Sequence, residues 1–146
     1  MRHFVRAFRP GLVAAMVVPA LLSLSGCINP AGCPKFHALM QVASCPSGAP
    51  VEMKAHYSSV LRGRIMSGGA PVEGATVVAE RFDWGVRKTA VSDGQGVFQF
   101  EEVQPETYRI VVCRAGYRPV LGFAFVGDAY REVPLTVDLV PDGPGR

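Results

Sequence analysis

The chemistry open to this 146-residue chain would have to come from four cysteines and three histidines. Cys27, Cys33, Cys45 and Cys113 are the possible nucleophiles or thiolate ligands, and His37 and His56 lie near the first three. Their order argues against a metal site. Cys33, His37, Cys45 and His56 lack the paired Cys-x-x-Cys spacing of structural zinc centres. From residue 59 onward there is no histidine and a single cysteine. The acids of that region are scattered, and Glu101 and Glu102, as neighbours on an extended strand, would point to opposite faces. Ser92-Asp93-Gly94-Gln95-Gly96 offers one carboxylate, too few for a Ca²⁺ loop. A nucleophile with a base, a carboxylate pair or a metal is what an enzyme needs. The expectation is therefore a protein with no catalytic residues, no metal and no cofactor.

The setting of Cys27 is the exception. Arg2, Arg6 and Arg9 precede an apolar run, Gly11 to Leu24, broken by Pro19. The run is 14 residues long, short of the ~20 that a bilayer-crossing helix needs. A basic start followed by a short apolar stretch reads as a secretory signal peptide over residues 1–26. Leu24-Ser25-Gly26-Cys27 at its end resembles a bacterial lipobox. That resemblance implies transfer of a diacylglycerol to the Cys27 thiol and cleavage before it, and often acylation of the new amino terminus. Two or three acyl chains anchor stably where one does not. The membrane would thus be a partner through lipid. Ile28 stands where an Asp favours retention at the inner membrane, so a cell-envelope site at the outer membrane is expected in a Gram-negative host.

An exported chain meets oxidising conditions, and three cysteines remain for one bridge. Cys33 and Cys45 are near in sequence, so closing that loop costs little entropy, and they are the favoured pair. A bridge from Cys113 to either of them is the alternative. Cys113 falls on the strand phase opposite Tyr108, Ile110 and Val112 and so points outward, where it is covered if the N-terminal segment packs on that face.

The elements behind these residues follow from charge and periodicity. All 12 acids and 12 of the 15 basic residues lie at or beyond residue 27, so that part is neutral. It lacks the basic excess of a nucleic-acid-binding domain. Residues 27–58 hold loop signals around Lys35–Ala43, a stretch able to form one or two helical turns, and read as a tether. From residue 59 short runs of Val, Ile, Phe and Tyr alternate with Gly, Pro and Asp, the pattern of an all-β sandwich. Seven strands are expected: 59–66, 74–82, 86–92, 97–101, 107–114, 118–125 and 130–140. Leu61, Gly63 and Ile65 share one face against Arg62 and Arg64. Ala75, Val77 and Ala79, Phe98 and Phe100, and Val133, Leu135, Val137 and Leu139 face in likewise. Residues 141–146 form a tail.

Leu61-Arg62-Gly63-Arg64-Ile65, Pro71-Val72-Glu73-Gly74-Ala75-Thr76-Val77, Ser92-Asp93-Gly94-Gln95-Gly96-Val97-Phe98-Gln99-Phe100, Pro105-Glu106-Thr107-Tyr108-Arg109-Ile110-Val111-Val112 and Gly116-Tyr117 occur in this order. Together they resemble the carboxypeptidase regulatory-like domain, a transthyretin-like β-sandwich, over residues 59–140. Glu106 departs from the Gly usual in that family, and Ser92 replaces Thr. The resemblance implies a non-catalytic binding or structural module, since the matched residues build the fold. Transthyretin-like hydroxyisourate hydrolases end in Tyr-Arg-Gly-Ser, whereas this chain ends in Pro-Asp-Gly-Pro-Gly-Arg. The alternative reading is a transthyretin-like lipoprotein subunit of a type VI-like secretion machine. A contact patch for an envelope protein or glycan is expected at Trp84, flanked by Arg81 and Arg87, because Trp and Arg are favoured anchors.

Overall fold

A computed structural model describes residues 34–82 and 85–143. The helical turns expected over Lys35–Ala43 form a helix α1, Pro34–Val42. Ten strands form among the described residues: β1 (Val51–Glu52), β2 (His56–Ser58), β3 (Arg62–Ser67), β4 (Ala70–Pro71), β5 (Thr76–Arg81), β6 (Arg87–Val91), β7 (Val97–Gln99), β8 (Glu106–Cys113), β9 (Val120–Val126) and β10 (Leu135–Asp138). Each of the seven expected strands has a counterpart with shorter or shifted ends. The count of seven is corrected by β1, β2 and β4, whose two or three residues are too short to show alternation.

The strands make two sheets. The larger runs β1-β9-β8-β5-β6, with β2 also on the outer side of β9. The smaller runs β10-β3-β4, with β7 also on β3. One core lies between them. Leu61, Ile65, Leu135, Val137 and Leu139 of the smaller sheet meet Val77, Ala79, Ile110, Val112 and Ala124 of the larger, with Phe98 and Tyr108 among them. Val133, expected inside, is exposed, because the last strand begins only at Leu135. Glu101 and Glu102 lie past the end of β7, both exposed, and Glu102 takes a positive φ, so neither belongs to a strand. Gly63 has a packing reason: a Cβ there would overlap the Leu135 carbonyl of the neighbouring strand.

The turns behave as their residues dictate. Asp93 Oδ1 accepts the Gln95 and Val97 amides, each at 2.9 Å, an Asx arrangement that shapes the β6–β7 turn. Ser92 Oγ donates to the Val72 carbonyl at 2.7 Å and accepts the Ala75 amide at 2.9 Å. Tyr108 is buried, and its hydroxyl donates to the Gln104 carbonyl at 3.1 Å.

The segment expected as a tether is packed from residue 34 onward. Phe36, Leu39 and Ala43 bury against Val78, Val111, Cys113 and Leu121 on the outer face of the larger sheet. β1 and β2 both pair in parallel with β9. Consequently β8 is buried on both faces, which explains its run of apolar residues.

Candidate functional site

The cysteine pairing differs from the favoured one. Cys45 is bonded to Cys113, with Cα atoms 5.1 Å apart, and not to Cys33. Cys113 points to the outer face, as its phase requires, and α1 covers that face, so that the turn after the helix delivers Cys45 to it. Entropy of loop closure favours the nearer pair only in the unfolded chain; the docked helix decides the outcome. Cys33 and Cys27 lie outside the described residues, as does Trp84.

The outer face of the larger sheet has a charged row across its middle. Register aligns Phe123 of β9, Arg109 of β8, Glu80 of β5 and Arg87 of β6. Glu80 Oε2 accepts Arg109 Nε at 2.8 Å, and its Oε1 accepts Arg87 Nε at 3.0 Å. Glu80 and Arg109 are 4% and 3% exposed, so each relies on the other for the solvation it has lost. The Arg109 guanidinium also sits 5.2 Å from the centre of the Phe82 ring.

On one side of this row α1 covers the sheet. On the other side lies an open groove of about 350 Å³ between Phe82, Glu106, Thr107, Phe123 and Phe125. Aromatic rings extend its floor. Tyr57 stacks on Phe125 with centroids 4.8 Å apart, Tyr130 meets Tyr57 edge-on at 5.5 Å, and Phe36 of α1 meets Phe123 edge-on at 5.5 Å.

Of the expected patch, the two described arginines face different sides of the sheet. Arg87 turns to the outer face and Glu80. Arg81 is on the opposite phase of β5, where its NH2 lies 3.5 Å from Glu106 Oε2 and its NH1 donates to Gln104 Oε1 at 2.8 Å. Beside Arg87, the hairpin exposes two large apolar side chains among its described residues, Phe82 and Val86. Glu80, Arg109 and the aromatic groove were not anticipated. The available signals were two charges inside otherwise apolar strands and the alternation of Phe123 with Phe125.

Two titrating groups are displaced. Burial pushes His56 below its ordinary value of 6.5, opposed by its hydrogen bond to the Val133 carbonyl at 3.0 Å. Burial pushes the Tyr108 phenol above 10.0, opposed by its bond to the Gln104 carbonyl and by Arg81. Among the described residues there is no cluster of three His, Cys, Asp or Glu side chains able to hold a metal. No helix there is long and apolar enough to cross a membrane.

Two sheets over a common apolar core, with one short helix and satisfied turns, define a mostly β module. Residues 60–140 match the family model of the carboxypeptidase regulatory-like domain, which covers more than half of the chain. The chain belongs to that family. Two solved structures are similar at low identity. One is a type II cohesin–X-dockerin complex from Acetivibrio cellulolyticus, mutated at its C-terminal interface, with 18% identity and a TM-score of 0.41 over 57% of this chain and 58% of that chain. The other is chlorocatechol 1,2-dioxygenase from Pseudomonas putida, with 16% identity and a TM-score of 0.37 over 73% and 76%. No curated protein matches.

Proposed function

We propose that the chain is a non-catalytic, lipid-anchored module of the bacterial cell envelope. In this reading its two sheets form a transthyretin-like β-sandwich that binds or supports an envelope protein or glycan. One observation carries the module reading: the family's motif residues are spent on the fold. Gly63 admits the neighbouring strand, Ser92 and Asp93 hold turns, and Tyr108 closes a corner. A residue already bonded to backbone is poorly placed to act on a substrate. The anchor reading rests on Leu24-Ser25-Gly26-Cys27 at the end of an apolar leader. With Ile28 next, the outer membrane is favoured over the inner.

The test is growth with labelled palmitate. The wild type takes up label and fractionates with membranes, and Cys27→Ala loses the label and is released. Label that persists in Cys27→Ala contradicts the anchor. Crosslinking in intact cells followed by purification then identifies the partner.

A further inference from the structure

We infer that the uncovered aromatic half of the larger sheet's outer face rests on the lipid bilayer beside the anchor. This rests on the reading of Cys27 as the lipidated residue, and adds to it a fixed orientation of the module.

The chain's route supplies the first argument. Phe36, in the first turn of α1, packs edge-on against Phe123, which also lines the groove. The opposite end of α1 leads to Cys45 and its bond to Cys113. The helix therefore starts at the aromatic half. Six residues separate Cys27 from Pro34. Even fully extended, at ~3.3–3.6 Å per residue, they keep the acyl chains within about 25 Å of the start of α1. With residues 34–58 packed on the sheet, the membrane surface and the groove are held at high effective concentration.

The chemistry of the face supplies the second. Tyr57, Phe82 and Tyr130 are 50%, 49% and 42% exposed. Rings with an apolar body and, for tyrosine, a polar tip are the side chains that settle at the headgroup boundary. The charges around them are of both signs: Arg81 pairs with Glu106, Arg87 and Arg109 pair with Glu80, and exposed Arg131 beside Tyr130 is offset in sign by exposed Asp128. A basic cluster for anionic headgroups is absent from this set, so the occupant is the zwitterionic interface itself. The acyl chains supply affinity, and the aromatic face supplies orientation.

Full-chain protein, processed in a lipoprotein-producing bacterium, is reconstituted into phosphatidylcholine vesicles with and without bromine on the acyl chains. In a Trp84→Phe background, Tyr130→Trp reports on the aromatic face. Val140→Trp, exposed beyond β10 on the other sheet, is the control. Bromine is expected to quench Tyr130→Trp strongly and to spare Val140→Trp. Should Tyr130→Trp fail to fold, Phe82→Trp replaces it with the same expectation. Equal quenching at both positions, or none at either, overturns the proposal; the latter leaves the face to a protein partner or a second copy. Palmitate label and flotation with the vesicles are read on the same samples. Protein that is labelled and floats but is not quenched loses the docking face and keeps the anchor. Protein without label loses the anchor and the docking proposal with it.

Discussion

Glu80 holds two arginines, and the environments of the two bonds predict different losses. Its side chain and that of Arg109 are 5% and 4% exposed, whereas that of Arg87 is 38% exposed. Glu80→Leu leaves the Arg109 guanidinium buried without a counter-charge, and the expected cost is about 3–5 kcal/mol. Arg87→Ala removes a solvent-screened partner and should cost at most about 1 kcal/mol. The double change Glu80→Leu with Arg109→Met should recover much of the first loss, since no charge is then stranded. Urea unfolding midpoints of the four proteins check all three statements; equal losses for Glu80→Leu and Arg87→Ala would contradict them. At the same scale, Trp84→Ala should change stability by less than ~1 kcal/mol, as at an ordinary surface position. If it collapses the fold instead, Trp84 is a core residue. Of this scale the sequence showed the parts but not their pairing. Arg81 and Arg87 flank Trp84 in the chain, yet strand phase sends them to opposite faces of the sheet.

At the scale of elements, α1 and β2 attach to the sheet by different means. Reduction of Cys45–Cys113, or Cys113→Ser, should destabilise the protein by roughly 2–4 kcal/mol, because a cross-link over 68 residues limits the unfolded chain. A non-reducing digest should give the peptide of Cys45 joined to that of Cys113; recovery of Cys45 joined to Cys33 would refute the pairing. β2 is held by side chains around Val133. His56 bonds the Val133 carbonyl, and Ser58 Oγ accepts the Val133 amide at 2.9 Å. The folded pKa of His56 lies below 6.5, so protonation favours the unfolded chain. Its contribution is complete above 6.5 and is lost as pH falls below that value toward the lowered folded pKa. Urea midpoints across this range should fall less in His56→Gln than in the wild type. Alternation made the long strands legible, and the stretch Lys35–Ala43 showed its helix. β1 and β2 were illegible because two or three residues have no period, and their parallel pairing with β9 involves no local turn.

For the whole molecule, the core between the sheets governs stability. Phe98→Ala and Ile110→Ala each empty a site that is at most 2% exposed, and a loss of about 2–5 kcal/mol is expected. Against a total of ~5–10 kcal/mol for a domain of this size, thermal melts should show a large fall or outright unfolding. Indifference to both changes would contradict the described core. The sandwich-like alternation and the family pattern were readable from residue 59 onward. The contribution of residues 34–58 was not, because the apolar outer phase of β5, β8 and β9 looks the same whether a helix or nothing lies over it. A last consequence concerns the order in which the molecule can be completed. β10 pairs in parallel with β3, Leu135 beside Gly63 and Asp138 beside Met66. Some seventy residues separate the partners, and parallel pairing at that distance is slow to find. As the chain is synthesised, the β10 side of β3 stays an open edge until Leu135–Asp138 have emerged. During that interval it is a template for pairing with another nascent chain. The protein thus spends its vulnerable period waiting for its last strand.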